Sequence, residues 1–241
     1  MTIVVEQDSR IIVALDDMNE KRAISLTREL AGKIWGVKVN SLYSRDPRIV
    51  GKLKKFVRVF VDMKIHDIPR SAALHAKEQL EHGADIINCH ASGGVEMMKA
   101  IYEVVSDNEN AIVIAVTVLT SLDSADCKRI YGTESVSQQV MNLAELTLDE
   151  AFLDGTVCSP EEVSYIKNRW GERCTAVTPG IRLAGDSPED QKRLSTPYNA
   201  IMNGSDLLVV GSSITKAGDP LAATSLIDGQ ITKALIDRKR R

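Results

Sequence analysis

Val57-Arg58-Val59-Phe60-Val61-Asp62-Met63-Lys64-Ile65-His66-Asp67-Ile68-Pro69-Arg70, followed by Ser71 to His82 and then Asp85-Ile86-Ile87-Asn88-Cys89, is the stretch that decides the architecture. Val57-Val61 is a short β-branched and aromatic run, and Ser71 to His82 has the apolar spacing of an amphipathic helix. Asp85-Cys89 is a second short apolar run, so the order is strand, helix, strand. Two strands joined through a helix pair in parallel, because a tight hairpin is ruled out by the length of the connection.

The same unit recurs in both directions along the chain. Upstream lie Ile11-Leu15 and Gly36-Val39; downstream lie Ile112-Val116, Gly155-Cys158, Thr175-Thr178 and Leu207-Val210. Helical periodicity fills intervening segments such as Glu20 to Leu30, Val95 to Val104, Ser135 to Leu146, Pro160 to Trp170 and Pro220 to Leu235. Ser159-Pro160-Glu161-Glu162 and Asp219-Pro220 read as helix starts, with a capping side chain and proline at the first helical position. No Pro/Gly/Ser-rich linker divides the 241 residues, so the reading is a single domain of the α/β class, 1–241. Eight β-α units in that length predict a closed (β/α)8 TIM barrel, with a doubly wound open sheet as the alternative.

Composition bounds the partners. The chain is 44% hydrophobic and 26% charged, enough for a sizeable core, and its net charge of −3 offers no long-range attraction to nucleic acid or an anionic membrane. No run approaches the ~20 apolar residues that cross a bilayer, and Met1 to Arg10 lacks a signal-peptide pattern. A cytoplasmic location is expected. Cys89, Cys127, Cys158 and Cys174 lie far apart without zinc spacing and read as reduced, mostly buried thiols. His66, His75, His82 and His90 read as structural, and neither a G-x-G-x-x-G fingerprint nor a P-loop is present. The basic end, Arg238 to Arg241, reads as a solvated helix terminus.

In a parallel barrel the chemistry belongs at the C-terminal ends of the strands. Those ends carry charges that a plain turn does not need: Asp16 after the first strand, Lys38 inside the second, and Asp62, Lys64 and Asp67 after the third. A lysine flanked by Val37 and Val39 is costly to bury alone and calls for an anionic partner, with Asp16 and Asp62 the nearest candidates. Asp62-x-Lys64-x-x-Asp67 places a lysine between two carboxylates, which favours its ammonium form and suits a proton donor. At the other end of the chain, Thr178-Pro179-Gly180-Ile181-Arg182 and Gly211-Ser212-Ser213-Ile214-Thr215 follow the seventh and eighth strands, where barrels commonly hold phosphate. Arg182 can form bidentate bonds, Gly211 permits close backbone approach, and Ser212 offers a hydroxyl.

These residues together resemble the orotidine 5′-monophosphate decarboxylase family, in its bacterial-type branch, over nearly the whole chain. The resemblance rests on Ala14-Leu15-Asp16, Val37-Lys38-Val39, Asp62-Met63-Lys64-Ile65-His66-Asp67-Ile68-Pro69, His90-Ala91-Ser92-Gly93-Gly94, Val116-Thr117-Val118-Leu119-Thr120-Ser121, Val177 to Arg182 and Asp190-Gln191. It implies decarboxylation of orotidine 5′-monophosphate to uridine 5′-monophosphate in pyrimidine biosynthesis, with no metal and no organic cofactor. It further implies that Lys64 protonates C6, that Asp62 lies by the substrate carboxylate, and that Lys38 and Asp67 complete the charged network. Asp16 and Lys38 would contact ribose, Thr120 the pyrimidine, and Arg182, Gln191 and Gly211 the phosphate side, with Pro179 and Ser212 also expected to bind substrate. A homodimer is implied, with Asp67 and Ser71 reaching into the neighbour's site.

Three positions depart from the family pattern: Ser212 stands where an arginine usually clasps phosphate, Asn40 where glycine is usual, and Arg70 where asparagine is usual. Lys216 lies near enough in sequence to help at the phosphate. Two rival readings remain: a magnesium-dependent sugar-phosphate decarboxylase or aldolase of the same barrel family, and a catalytically silent nucleotide-binding barrel. The sugar-phosphate relatives typically carry a metal-binding glutamate where this chain has Lys38, which argues against the first.

Overall fold

A computed structural model of the chain describes residues 9–183 and 193–240. Eight parallel strands, β1 (Ile11–Ala14), β2 (Gly36–Val39), β3 (Arg58–Ile65), β4 (Ile86–His90), β5 (Ile112–Val116), β6 (Gly155–Val157), β7 (Thr175–Thr178) and β8 (Leu207–Val210), pair in chain order, and β8 closes on β1. The closed barrel is therefore the architecture, and the open sheet is excluded. The helices in order are α1 (Glu20–Leu30), α2 (Ser41–Arg45), α3 (Ile49–Leu53), α4 (Pro69–Glu81), α5 (Val95–Val105), α6 (Ser124–Tyr131), α7 (Val136–Glu145), α8 (Val163–Trp170), α9 (Pro197–Met202), α10 (Ser212–Thr215) and α11 (Pro220–Lys239).

The strands are too short to be told from buried helix by periodicity alone, yet their two faces differ. Ile11, Val13, Val37, Val39, Val59, Val61, Ile87 and Cys89 point outward into the layer under the helices. Ile12, Ala14, Phe60, Ile86, Ile114, Val177, Leu207 and Val209 fill the interior. The strand period of two then puts Lys38, Asp62 and Asn88 on the interior face, one step above Gly36, Phe60 and Ile86. At the lower end the wall is so close that an added Cβ at Gly155 would sit 2.1 Å from the carbonyl oxygen of Thr175, and one at Gly36 would sit 2.5 Å from that of Arg58.

Local chemistry sets several boundaries. Asp219 accepts the Ala222 N–H at 2.9 Å and Pro220 opens α11, as the sequence predicts. The start predicted at Pro160 is displaced, because residues 160–162 form a turn and α8 begins at Val163. Ser159 Oγ accepts from Glu161 N at 3.2 Å within that turn, which directs Glu162 inward onto the Arg193 guanidinium. Helix α4 begins two residues before the predicted Ser71, with Pro69 in its first turn.

Strand β3 outruns the predicted Val57-Val61. Val61 faces Ile87 and Ile65 faces Cys89, so three residues of β3 stand opposite one residue of β4, a bulge. Within it Lys64 adopts φ +49°, a left-handed conformation costly for a side-chain-bearing residue. The four cysteines are buried free thiols; burial pushes Cys89 up to about 12 and raises Cys127, Cys158 and Cys174 as well. Among the described residues no helix is long and apolar enough to cross a membrane.

Candidate active site

The charged residues on the upper interior of β1 to β3 form one alternating row. Lys38 Nζ lies 3.0 Å from Asp16 Oδ2 and 3.0 Å from Asp62 Oδ2, and Lys64 Nζ lies 2.8 Å from Asp62 Oδ1. The centre of the row is dry and its ends are wetter. The side chains of Lys38 and Asp62 are 10% and 9% exposed, whereas Asp16 and Lys64 keep 46% and 33%. The partners that the sequence demanded for a buried lysine are thus both present.

Electrostatics in this row oppose burial and overcome it. Burial pulls the Lys38 ammonium toward deprotonation, but the Asp62 and Asp16 carboxylates outweigh it and hold its pKa above the ordinary lysine value. Burial likewise pushes Asp62 up, and Lys38 and Lys64 together hold its carboxyl below the usual range. Two opposed tendencies at one point make the row a store of fixed charge in a low-dielectric pocket, where such charges act strongly on a developing anion.

Asn88, fully buried on β4, holds the row in place. Its Nδ2 donates to Asp62 Oδ1 at 2.7 Å, and its Oδ1 accepts the Lys64 backbone N–H at 2.7 Å. One amide therefore fixes the carboxylate and the bulge from which Lys64 projects. Asn40 adds a third tie, with its Nδ2 donating to the Asp62 carbonyl oxygen at 2.6 Å. Sequence reading missed the part played by Asn88, although a polar residue between Ile87 and Cys89 in an apolar strand is the same signal that Lys38 gave.

The row forms one wall of a cavity of about 540 Å³ at the barrel mouth. Asp16, Lys38, Asp62, Lys64, Thr120, Pro179, Arg182, Gly211 and Ser212 all line it, so residues from opposite ends of the chain converge as predicted. Arg22, Thr215 and Lys216 line it too, so cationic side chains other than Arg182 border the cavity that Ser212 lines. Arg22 gave no sequence signal beyond being an exposed charge in the first turn of α1. Gln191 lies outside the described residues.

Asp67 and Ser71 are not in this cavity. Asp67 Oδ1 accepts the Ile68 N–H at 2.7 Å and Oδ2 lies 3.9 Å from His75 Nε2, beside a separate depression of about 330 Å³. Within one chain Lys64 is therefore not flanked by two carboxylates, contrary to the simplest reading of Asp62-x-Lys64-x-x-Asp67. The physical reason is that the chain leaves the barrel at His66 and turns into α4 at Pro69, which carries Asp67 outward. Arg70 is exposed at the start of that helix.

Comparison with known proteins agrees with this geometry. The family profile that matches residues 9–227 is described as Orotidine 5'-phosphate decarboxylase / HUMPS family. Orotidine 5'-phosphate decarboxylase of Nitrosococcus oceani is 40% identical over 230 residues, covering 94% of this chain and 99% of that protein. The protein of the same name from Vibrio atlanticus is 40% identical over 231 residues, covering 93% and 99%. Among solved structures, orotidine 5'-phosphate decarboxylase from Lactobacillus acidophilus superposes with a TM-score of 0.78 at 31% identity, covering 93% of this chain and 99% of that one. With the profile spanning most of its length and such relatives matched nearly end to end, the chain belongs to the orotidine 5'-phosphate decarboxylase / HUMPS family.

Proposed function

We propose that this chain is a cofactor-free orotidine 5′-monophosphate decarboxylase of pyrimidine biosynthesis, acting in the cytoplasm as a single-domain barrel. The observation that carries the reading is the row Asp16–Lys38–Asp62–Lys64, with each carboxylate–ammonium contact at 3.0 Å or less. In the reaction the C6–carboxylate bond breaks, carbon dioxide leaves, and the bonding electron pair stays on C6. The Lys64 ammonium stabilises that pair and delivers a proton to C6; solvent then restores the proton to the amine. Asp62 faces the departing carboxylate, an interaction unfavourable in the bound substrate and relieved as carbon dioxide departs.

Asp16 and Lys38 hold the ribose hydroxyls, Thr120 meets the pyrimidine, and Pro179, Arg182, Gln191, Gly211 and Ser212 form the phosphate end. Remote grip on the phosphate holds the base against the charged row. The chain works as a homodimer in which Asp67 and Ser71 serve the neighbouring site, a reading supported by their position outside their own chain's cavity. Lys38 disfavours the magnesium-dependent sugar-phosphate reading, because its ammonium already neutralises the two carboxylates that a cation would use.

The test is the fall in orotidine 5′-monophosphate absorbance with chelator-treated protein, beside Lys64→Ala. Turnover without added metal, reduced about 10²–10⁴-fold or more in Lys64→Ala, is the expected result. Absence of turnover in the parent protein at saturating substrate would refute the reading.

A further inference from the structure

Away from the charged row, a buried guanidinium joins the loops on the far side of the barrel mouth. Arg193 Nη1 donates to Glu162 Oε1, and Arg193 Nη2 donates to the carbonyl oxygens of Val118 at 3.1 Å and Leu119 at 3.0 Å. The side chains are 11% and 6% exposed. Val118 and Leu119 directly precede Thr120, and all three line the cavity; Glu162 ends the turn that begins beyond Cys158, another lining residue. Arg193 itself lies two positions after Gln191. One planar group therefore fixes the β5–α6 loop, the β6–α8 turn and the chain entering α9 against each other.

Stability is a poor reason for this arrangement. Glu162 Oε2 and Arg193 Nε are buried without a hydrogen-bond partner among the described residues, and a buried ion pair generally gains little over well-packed apolar side chains. What a guanidinium supplies and an apolar group does not is direction, through donors set in a rigid fork.

We propose that Arg193 is a positioning residue of the active site, using Glu162 as its anchor to hold the Thr120 loop in register with the β6–α8 turn and the chain entering α9. The inference rests on the decarboxylase reading above for its kinetic consequence but not for its structural one. Arg193 touches no substrate; it sets where the loops that do so come to rest.

The experiment compares the parent protein, Arg193→Met and Arg193→Lys in steady-state decarboxylation, thermal unfolding and amide hydrogen exchange. Lysine keeps a charge for Glu162 but is a point donor and does not span a carboxylate and two carbonyls. The expected result is that Arg193→Lys recovers thermal stability while kcat/KM stays about ten- to hundredfold below the parent, mainly through KM. The Leu122 amide, bonded to Leu119 O at 3.0 Å, should exchange faster in both variants. Should Arg193→Met fail to fold, Arg193→Lys carries the test alone. A folded variant with kcat/KM within about twofold of the parent, or with Leu122 exchange unchanged, overturns the proposal. No turnover by the parent would overturn the decarboxylase reading instead, and Leu122 exchange would still decide whether the bracket holds the loop.

Discussion

Replacing Lys38 by methionine keeps an unbranched side chain of similar length and removes the ammonium from between two carboxylates. Asp16 is nearly half exposed and can turn to water; Asp62 cannot, and it retains only Lys64 at 2.8 Å and Asn88 at 2.7 Å. Breaking a buried ion pair typically costs 3–5 kcal/mol, and the two remaining partners place the expected loss near the lower end, about 3 kcal/mol. A domain of ordinary stability, roughly 5–15 kcal/mol, stays folded through that loss. The pH dependence follows from the directions of the shifts. In the parent, the depressed Asp62 carboxyl contributes stability that is present above its unfolded value and is lost as pH falls through its folded value. The raised Lys38 contributes stability that is complete below its unfolded value and is lost as pH rises through its folded one. In Lys38→Met the burial of Asp62 persists while its strongest opposing charge is gone, so its carboxyl titrates higher and protonation relieves the variant as acid is added. Urea unfolding at about pH 7 and about pH 4 should therefore show a stability gap that narrows toward acid. A loss below about 1 kcal/mol at neutral pH, or a gap independent of pH, would refute the picture of a charge row bound together at Lys38.

Ser212→Arg restores the charge usual at the phosphate end, and kcat/KM for orotidine 5′-monophosphate should rise by about one to two decades, from a charged bond of about 1.5–3 kcal/mol; no gain in a steady-state assay would mean that the cations already lining the cavity, Arg182, Arg22 and Lys216, suffice. Asn88→Ala leaves the Lys64 N–H without its acceptor and takes one of three donors from the Asp62 carboxylate, so chemical denaturation should register about 2–4 kcal/mol of destabilisation together with a fall in kcat. Gly155→Ala drives a methyl group to 2.1 Å from the Thr175 carbonyl oxygen and should cost about 3 kcal/mol, read as a lowered Tm, with KM unaltered in protein that remains folded because the site is at the opposite end of the strand.

Much of this molecule is legible from residues alone, and the limits have identifiable causes. β2, β5, β7 and β8 match their predicted bounds because apolar runs buried on both faces end where polar turns begin. Strand β3 was underestimated because Asp62 and Lys64 look like loop residues until the row that buries them is seen. The convergence of Asp16, Lys38, Asp62 and Lys64 was readable from strand-end chemistry, whereas the outward turn of Asp67 was not, since spacing does not tell which way a chain leaves a barrel. The Arg193–Glu162 bracket spans 31 residues of sequence, and no local pattern announces it. The displaced start of α8 shows the same limit: Ser159 and Pro160 carry a good helix signal, and a tertiary contact at Glu162 overrides it.

The four buried thiols give the fold an intrinsic chemical timer. Cys89 lies within β4 and Cys174 precedes β7, while Cys158 follows β6 and lines the cavity, and Cys127 belongs to α6. Raised pKa values and burial leave these sulfurs inert toward alkylating reagents in the closed protein, so each reacts only when its own surroundings open. Labelling at Cys158 and Cys127 reports excursions of the cavity wall and of α6, and labelling at Cys89 and Cys174 reports opening of the barrel itself. The interval between the two, followed by mass under native conditions, measures how far the mouth can loosen before the barrel itself gives way.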